Sequence, residues 1–324
     1  MNVEELLDSA TQQRARGGVS AVALNFVAFL EDPELRDWIT SQTDELAQRH
    51  ACRTIVLDAC ASGSLSGITT RCAHVGDETD CEQFCVGVSG VDAAALRSVV
   101  CELLDSHVET VLLWAGSRLR DDRLRALSSL CEALVVDTGR RNGEESLHEL
   151  TAIADESLEP LLRDMAYLRL DSWQGLIALF FDEPDMAEEL GTISRVRVCT
   201  GSVPEALYFV AWLASRLDWQ ACGKNAFCNP KGEPVAVEIQ RREAPGLVSV
   251  TLDSANCSFF AGVDDDTPEL ACLRVTGRKQ RDKRCAPLRQ ESAAAIVRRS
   301  VPGRARDDVF LETFRMLRKL LIDA

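Results

Sequence analysis

Thr110-Val-Leu-Leu-Trp-Ala-Gly-Ser-Arg-Leu-Arg-Asp-Asp-Arg-Leu-Arg-Ala-Leu-Ser-Ser-Leu-Cys-Glu-Ala-Leu-Val-Val-Asp137 is the stretch that decides the fold. A strand-length apolar burst at residues 110–113 is followed by helical spacing over 122–131 and by a second burst at 134–137. The same alternation extends towards the N-terminus, with strands expected at 19–26, 54–58 and 84–88 and a helix over 35–50. Asp92 can cap a further helix that places Leu96, Val99, Val100, Leu103 and Leu104 on one face. Strands alternating with helices in this way predict a doubly wound α/β domain.

Beyond it the pattern changes. Leu158, Leu161, Leu162, Met165 and Leu168 follow the helical period, and Asp171 with Gln174 three positions later reads as a capping box opening a helix over 173–181. Pro184 then disfavours continuation. This pair of helices forms the expected junction between a domain over residues 1–155 and a second over 156–324. The second starts with alternating Arg195-Val-Arg-Val-Cys199. Ser202-Val-Pro-Glu205, another capping box, opens a helix that buries Leu207, Val210, Leu213 and Leu217, with Trp212 near that stripe. Strands follow at 235–240, 247–252, 257–261 and 271–275, and the last helix puts Phe310, Phe314, Leu317 and Leu321 on one face. The expectation is a smaller α+β domain with a mostly antiparallel sheet.

The chain of 324 residues suffices for two cores, and its 46% hydrophobic and 27% charged residues are those of a globular protein. No run approaches the roughly 18 apolar residues of a membrane span, and acids occupy the first residues where a signal peptide carries bases. The expected location is cytoplasmic. With 51 acids against 36 bases the net charge is −15, which argues against nucleic-acid binding. Residues 273–324 nonetheless carry 14 Lys and Arg against 6 acids, densest in Gly277-Arg-Lys-Gln-Arg-Asp-Lys-Arg284. That run reads as a solvated loop or helix face, with an acidic partner or sugar phosphate as the functional reading.

A doubly wound domain invites a nucleotide, but neither Gly-x-Gly-x-x-Gly nor a Walker A sequence is present. The glycine-rich Ala61-Ser-Gly-Ser-Leu-Ser-Gly67 is followed by strand-like residues instead of the helix that presents N–H groups to phosphate. No cofactor is expected. Cys72, His74, Cys81 and Cys85 lie close in sequence, but only the interval between Cys81 and Cys85 fits zinc spacing, so no metal site is expected either. The thirteen cysteines read chiefly as small core hydrophobes, with Cys72, Cys81, Cys85, Cys222 and Cys228 as candidate redox thiols. There is no nucleophile elbow, and the four histidines sit in no triad pattern. Asp121-Asp122 and Asp264-Asp-Asp266 read as capping or solvated turn residues. Trp212 and Trp219 read first as core. Trp173 differs: it follows an interhelical break beside Arg169 and Asp171, and Trp with Arg is what interface anchors are made of.

Two stretches, Asp164-Met-Ala-Tyr-Leu-Arg-Leu-Asp-Ser-Trp173 and Ala211-Trp-Leu-Ala-Ser-Arg-Leu-Asp-Trp219, resemble the signature segments of the OpcA family of glucose-6-phosphate dehydrogenase assembly proteins. Arg49-His-Ala-Cys-Arg-Thr-Ile-Val56, Val111-Leu-Leu-Trp-Ala-Gly-Ser117, Ala133-Leu-Val-Val-Asp-Thr138 and Asp307-Asp-Val-Phe-Leu311 are similar to further family segments. The chain departs in having Trp114 followed by Ala115 where relatives tend to have a Trp pair, and in reading Thr-Gly-Arg-Arg after Asp137. The resemblance implies a non-catalytic factor that binds glucose-6-phosphate dehydrogenase and favours its active oligomer. It implies partner contacts at Arg169, Asp171, Trp173, Trp212 and Arg216, and a thioredoxin-type partner for the thiols. The alternative is an enzyme or sensor that binds a sugar phosphate or nucleotide through backbone amides of the α/β domain.

Overall fold

A computed structural model describes residues 22–47, 51–60, 64–75, 79–141, 143–154, 158–223, 226–289, 291–299 and 307–322. The chain forms two compact units interleaved in sequence. The first comprises Met1–Asp137, Ile153–Met165 and Ser292–Ala305, and the second Thr138–Ala152, Ala166–Glu291 and Arg306–Ala324.

Among the described residues, the first unit is built on a seven-stranded sheet. It contains β1 (Leu24–Leu30), helix α1 (Arg36–Ala47), β2 (Cys52–Asp58), β3 (Ser64–Val75), β4 (Thr79–Val88), α2 (Ala93–Leu103), β5 (Thr110–Ala115), α3 (Asp122–Ser128), β6 (Ala133–Val136) and β7 (Leu162–Asp164). The sheet order is β3-β4-β2-β1-β5-β6-β7. All neighbours are parallel except β3, which runs antiparallel to β4 on one edge. Parallel strands are covered on both faces, which is why β1 reads Leu-Asn-Phe-Val-Ala-Phe-Leu with every residue buried. Asp92 and Asp121 cap α2 and α3, accepting from the Ala95 and Arg123 amides at 2.9 and 2.8 Å. The expected strand at 19–26 is observed at Leu24–Leu30, so its first residues lie outside the described ones.

The second unit starts with α4 (Glu144–Ile153) and continues through α5 (Met165–Leu168), α6 (Asp171–Ala178), α7 (Pro184–Ala187), β8 (Arg195–Thr200) and α8 (Val203–Arg216). Strands β9 (Gln220–Gly223), β10 (Ala226–Cys228), β11 (Pro234–Arg241), β12 (Leu247–Asp253), β13 (Cys257–Val263), β14 (Leu270–Gly277) and β15 (Arg281–Pro287) follow. Helix α9 (Ala293–Arg299) returns to the first unit, where the Ser292 hydroxyl meets Glu45 at 3.0 Å, and α10 (Asp308–Ile322) closes the second. The sheet order is β15-β14-β13-β12-β8-β11-β10-β9, antiparallel except for β8 with β11. Helix α8 is almost wholly buried and packs on α10, whose Phe310, Phe314 and Leu317 are inaccessible. The mostly antiparallel second sheet was expected; that it is the larger of the two was not.

Three expectations are corrected. A cut after residue 155 does not describe the division, because α4 belongs with the second unit and β7, pairing with β6, with the first. The helix read through Leu158–Leu168 is interrupted by β7: Leu162 and Asp164 are fully buried in the sheet, and a three-residue strand leaves no period to detect. The basic run is solvated but only partly a loop; it spans the end of β14, a turn at residues 278–280 and edge strand β15. Charged side chains on an edge strand discourage pairing with another chain.

Candidate functional site

The corner between α5 and α6 is made without an aspartate cap. Leu170, in helical conformation, occupies the capping position, its amide bonds the Tyr167 carbonyl at 2.9 Å, and its own carbonyl receives the Gln174 amide at 2.8 Å. The capping box expected at Asp171 and Gln174 is therefore absent, and Asp171 lies exposed in the first turn of α6, where a carboxylate favours the helix dipole. Ser172 donates to the Arg289 carbonyl at 2.9 Å. Trp173 is 5% exposed. The Arg169 Nε donates to Glu205 Oε1 at 2.9 Å. Glu205 thus pairs with a cation instead of closing a box with Ser202, whose hydroxyl makes no capping bond.

On α8, Trp212 is half-buried against Phe209, with ring centroids 5.6 Å apart, and Arg216 is exposed at the last turn, paired with Glu312 of α10. Trp219 is 1% exposed and packs on Phe227. Asp171 and Arg216 are therefore on the surface, Arg169 and Trp212 half-buried, and Trp173 buried. Leu179, at the far end of α6 from Asp171, is 47% exposed.

The sulfur atoms separate into three situations. Cys222 and Cys228 are joined in a disulfide across the β9–β10 hairpin, with Cα atoms 5.8 Å apart and Cys222 exposed. Cys81 and Cys85 lie on one strand, β4, where four residues span about 13 Å, too far to share a metal ion. The side chains of Cys72, His74 and Cys81 lie outside the described residues, as does His50. Cys131 is buried, and burial pushes its thiol up to about 12. The third situation, in which Asp264, Cys272 and Cys285 converge, could not be seen in the sequence, because the intervals between them match no metal motif.

The doubly wound sheet reverses direction between β1 and β5, where a dinucleotide would lie against a glycine-rich turn after β1. The residues there do not fit one. The turn is Glu31-Asp32-Pro33-Glu34, with three carboxylates and no glycine. Pro33 offers no N–H, and the Glu34 amide is taken by Asp32 Oδ1 at 2.9 Å. Asp58, at the end of β2 where a ribose-binding acid would stand, is held by Arg36 at 2.8 Å. Glu31 itself is tied down: it accepts from the Ser117 amide at 2.7 Å, its hydroxyl at 2.6 Å and Arg123 at 2.8 Å. Burial pushes the Glu31 carboxyl up, but these bonds outweigh it and hold the pKa at about 2. Arg123 is raised, first by its hydrogen bond to Asp121, and lies 4.9 Å over the Phe29 ring. Phe29 stacks in turn on Trp114 at 4.2 Å, and a Cβ at Gly116 would stand 2.6 Å from the Trp114 ring, so the turn after β5 requires glycine.

Within the second unit, a cavity of about 270 Å³ is lined by Val203, Leu207, Val210, Phe227, Val237, Ile239 and Leu320, with Glu144 and Arg241 as its charged members.

Residues 43–155 match the family model described as the glucose-6-phosphate dehydrogenase subunit N-terminal domain, and residues 160–314 match the model of its C-terminal domain. The putative OxPP cycle protein OpcA of Nostoc punctiforme is 30% identical over 188 residues, covering 55% of this chain and 40% of that protein. Its counterpart in Synechocystis sp. is 22% identical over 311 residues, covering 86% and 65%. The chain thus spans less than two thirds of the length of these relatives. Among solved structures, a 3-ketoreductase from Actinomadura kijaniata in complex with NADP and TDP-benzene superposes with a TM-score of 0.54 over 93% of this chain and 98% of that one, at 11% identity. That likeness is one of fold.

Proposed function

This chain belongs to the glucose-6-phosphate dehydrogenase subunit family, OpcA, and on that premise we propose that it is a non-catalytic cytoplasmic factor that binds glucose-6-phosphate dehydrogenase and favours its active oligomer. Such a factor acts by binding the competent state more tightly than the other; equal affinity would shift nothing. The observation that carries the non-catalytic part is the crevice between β1 and β5. Its glycine turn is replaced by Glu31-Asp32-Pro33-Glu34, and the Glu31 carboxylate is bonded to Ser117 and Arg123.

The contact surface lies on the second unit, with Trp212 and Arg216 on α8 and Arg169, Asp171 and the exposed Leu179 about α6. Trp173 supports that corner from within. The Cys222–Cys228 disulfide, in which Cys222 is exposed, is the thiol pair through which a thioredoxin-type partner acts on the complex. Cys72, Cys81 and Cys85 are secondary candidates. Co-sedimentation of the chain with its cognate dehydrogenase tests the proposal: a complex that shifts the dehydrogenase towards its larger oligomer supports it, and independent sedimentation of the two refutes it.

A second reading is favoured by one observation, the cavity between α8, the sheet and α10. A half-open cavity that sets Glu144 and Arg241 among apolar side chains could seat a small metabolite, making the chain a sensor or an enzyme. A thermal-shift panel of sugar phosphates and nucleotides separates the two, since a ligand that binds only the folded chain raises the melting temperature as the logarithm of its concentration above Kd.

A further inference from the structure

We propose that Asp264, Cys272 and Cys285 bind one thiophilic divalent cation of the zinc class, through two thiolates and a carboxylate at the edge of the second unit's sheet. Cys272 on β14 and Cys285 on β15 are directly opposite in the antiparallel register, so their side chains share a face. Asp264 is the first residue after β13, and its neighbour Val263 pairs with Ala271. The sheet register therefore sets the carboxylate beside the two thiols. The three ligand atoms lie within 4.8 Å of one another, and Cys272 Sγ is already 2.8 Å from Asp264 Oδ2. Tetrahedral zinc with bonds of about 2.3 Å to sulfur and 2.0–2.2 Å to oxygen sets its ligand atoms about 3.5–3.8 Å apart, so the Cys272 Sγ–Asp264 Oδ2 pair must open and any wider separation close, changes within reach of side-chain rotation. Among the described residues this is the one place where three such groups converge.

The donor set selects the metal. Two thiolates with one carboxylate suit zinc and its softer relatives, whereas magnesium and calcium take oxygen ligands. Binding releases one proton from each thiol to solvent. The ligands then carry three negative charges against two on the cation, and Cys272 is only 8% exposed, so an excess charge needs compensation. Lys283 supplies it: its Nζ is 3.1 Å from Asp264 Oδ2, making the loaded group neutral. The Asp266 amide, 3.2 Å from Asp264 Oδ1, fixes the carboxylate. Cys285 is exposed, which gives the ion a way in and leaves a fourth position to water. Bound there, the cation would pin edge strand β15, with Arg281 and Arg284, to β14 and to the turn after β13.

The test uses the full chain carrying Cys222→Ser and Cys228→Ser, so that the hairpin thiols cannot compete, reduced with a phosphine, stripped with a chelator and titrated with Co²⁺. The expected result is one equivalent bound, with sulfur-to-cobalt charge-transfer absorption and the visible bands of a four-coordinate site, both displaced by Zn²⁺. Cys285→Ser, an exposed position that leaves the core intact, removes the charge-transfer band, as does Asp264→Asn in part, whereas Cys131→Ser retains it. No charge-transfer band in the parent chain, an unchanged band in Cys285→Ser, or a Cys272–Cys285 disulfide that survives the reductant overturns the proposal.

Discussion

Arg169 on the α5–α6 corner and Glu205 in the first turn of α8 form an ion pair, Nε to Oε1 at 2.9 Å, with only 7% of the Glu205 side chain exposed. Sequence reasoning gives each residue a different task, Arg169 as a contact for a partner and Glu205 as half of a capping box. The pair ties the first family-like segment, residues 164–173, to α8, the helix that carries most of the second, and Gly246 (φ 77°) leaves room for the Glu205 carboxylate, since a Cβ there would stand 2.6 Å from Glu205 Oε2. Glu205→Ala removes a buried acceptor from a cation, and is expected to cost about 1–3 kcal/mol, with Glu205→Gln costing less. Urea unfolding midpoints measure the difference, and equal midpoints for parent and Ala variant would remove the pair from the account.

Trp173 and Trp212 should separate packing from recognition. Trp173 is buried, so Trp173→Ala is expected to lose about 3–5 kcal/mol of stability while the folded fraction keeps its affinity for the dehydrogenase. Trp212→Ala or Arg216→Ala should do the reverse, weakening binding by about 2 kcal/mol with a melting temperature close to that of the parent. Melting and affinity are read on the same preparations. A folded Trp173→Ala chain that no longer binds would move the contact surface inward to that residue.

Acid stability should report the Glu31 cluster. Its folded pKa, about 2, lies below the ordinary 4.5, so the stabilisation is complete above the unfolded-state value and is lost as pH falls from about 5 towards 2. The side chain is 27% exposed, which reduces the contribution through solvent screening to about 1–2 kcal/mol. Glu31→Gln should flatten the stability curve over that window and leave its slope above pH 6 unchanged. Identical curves for parent and variant would show that Ser117 and Arg123 do not hold the carboxylate in solution.

The Cys222–Cys228 bridge spans a sequence separation of only six residues, so its removal should cost about 2 kcal/mol or less. Its predicted effect is on the partner. Reduction should change the activation of the dehydrogenase, and the Cys222→Ser, Cys228→Ser chain should respond identically in oxidising and reducing buffer. If that variant keeps the redox response of the parent, the control lies with other thiols.

Much of the fold is legible because burial on both faces writes continuous apolar strands: residues 54–58, 84–88, 110–113 and 134–137 all fall within or beside β2, β4, β5 and β6. What escapes is what depends on neighbours distant in sequence. Leu162–Asp164 is a strand because β6 is beside it, and Arg281–Pro287 is one because β14 is, although its charges read as solvated. The site is less legible for the same reason. Trp173 and Arg169 carry the right residue types for an anchor, but Trp173 is buried by the folding of the unit and Arg169 pairs with Glu205 of α8, 36 positions away in sequence. Cys272 and Cys285 meet only through strand register.

As the proposed activating subunit, this chain is expected to raise the activity of a dehydrogenase while having none itself. The direct measurement is the rate of the cognate glucose-6-phosphate dehydrogenase across substrate concentrations, with and without an excess of the chain, and of the chain alone. A higher rate at subsaturating glucose-6-phosphate is expected when the chain is added, with loss of that gain in Trp212→Ala and no turnover by the chain alone. Superimposed curves under both oxidising and reducing conditions, or turnover by the isolated chain, would contradict it.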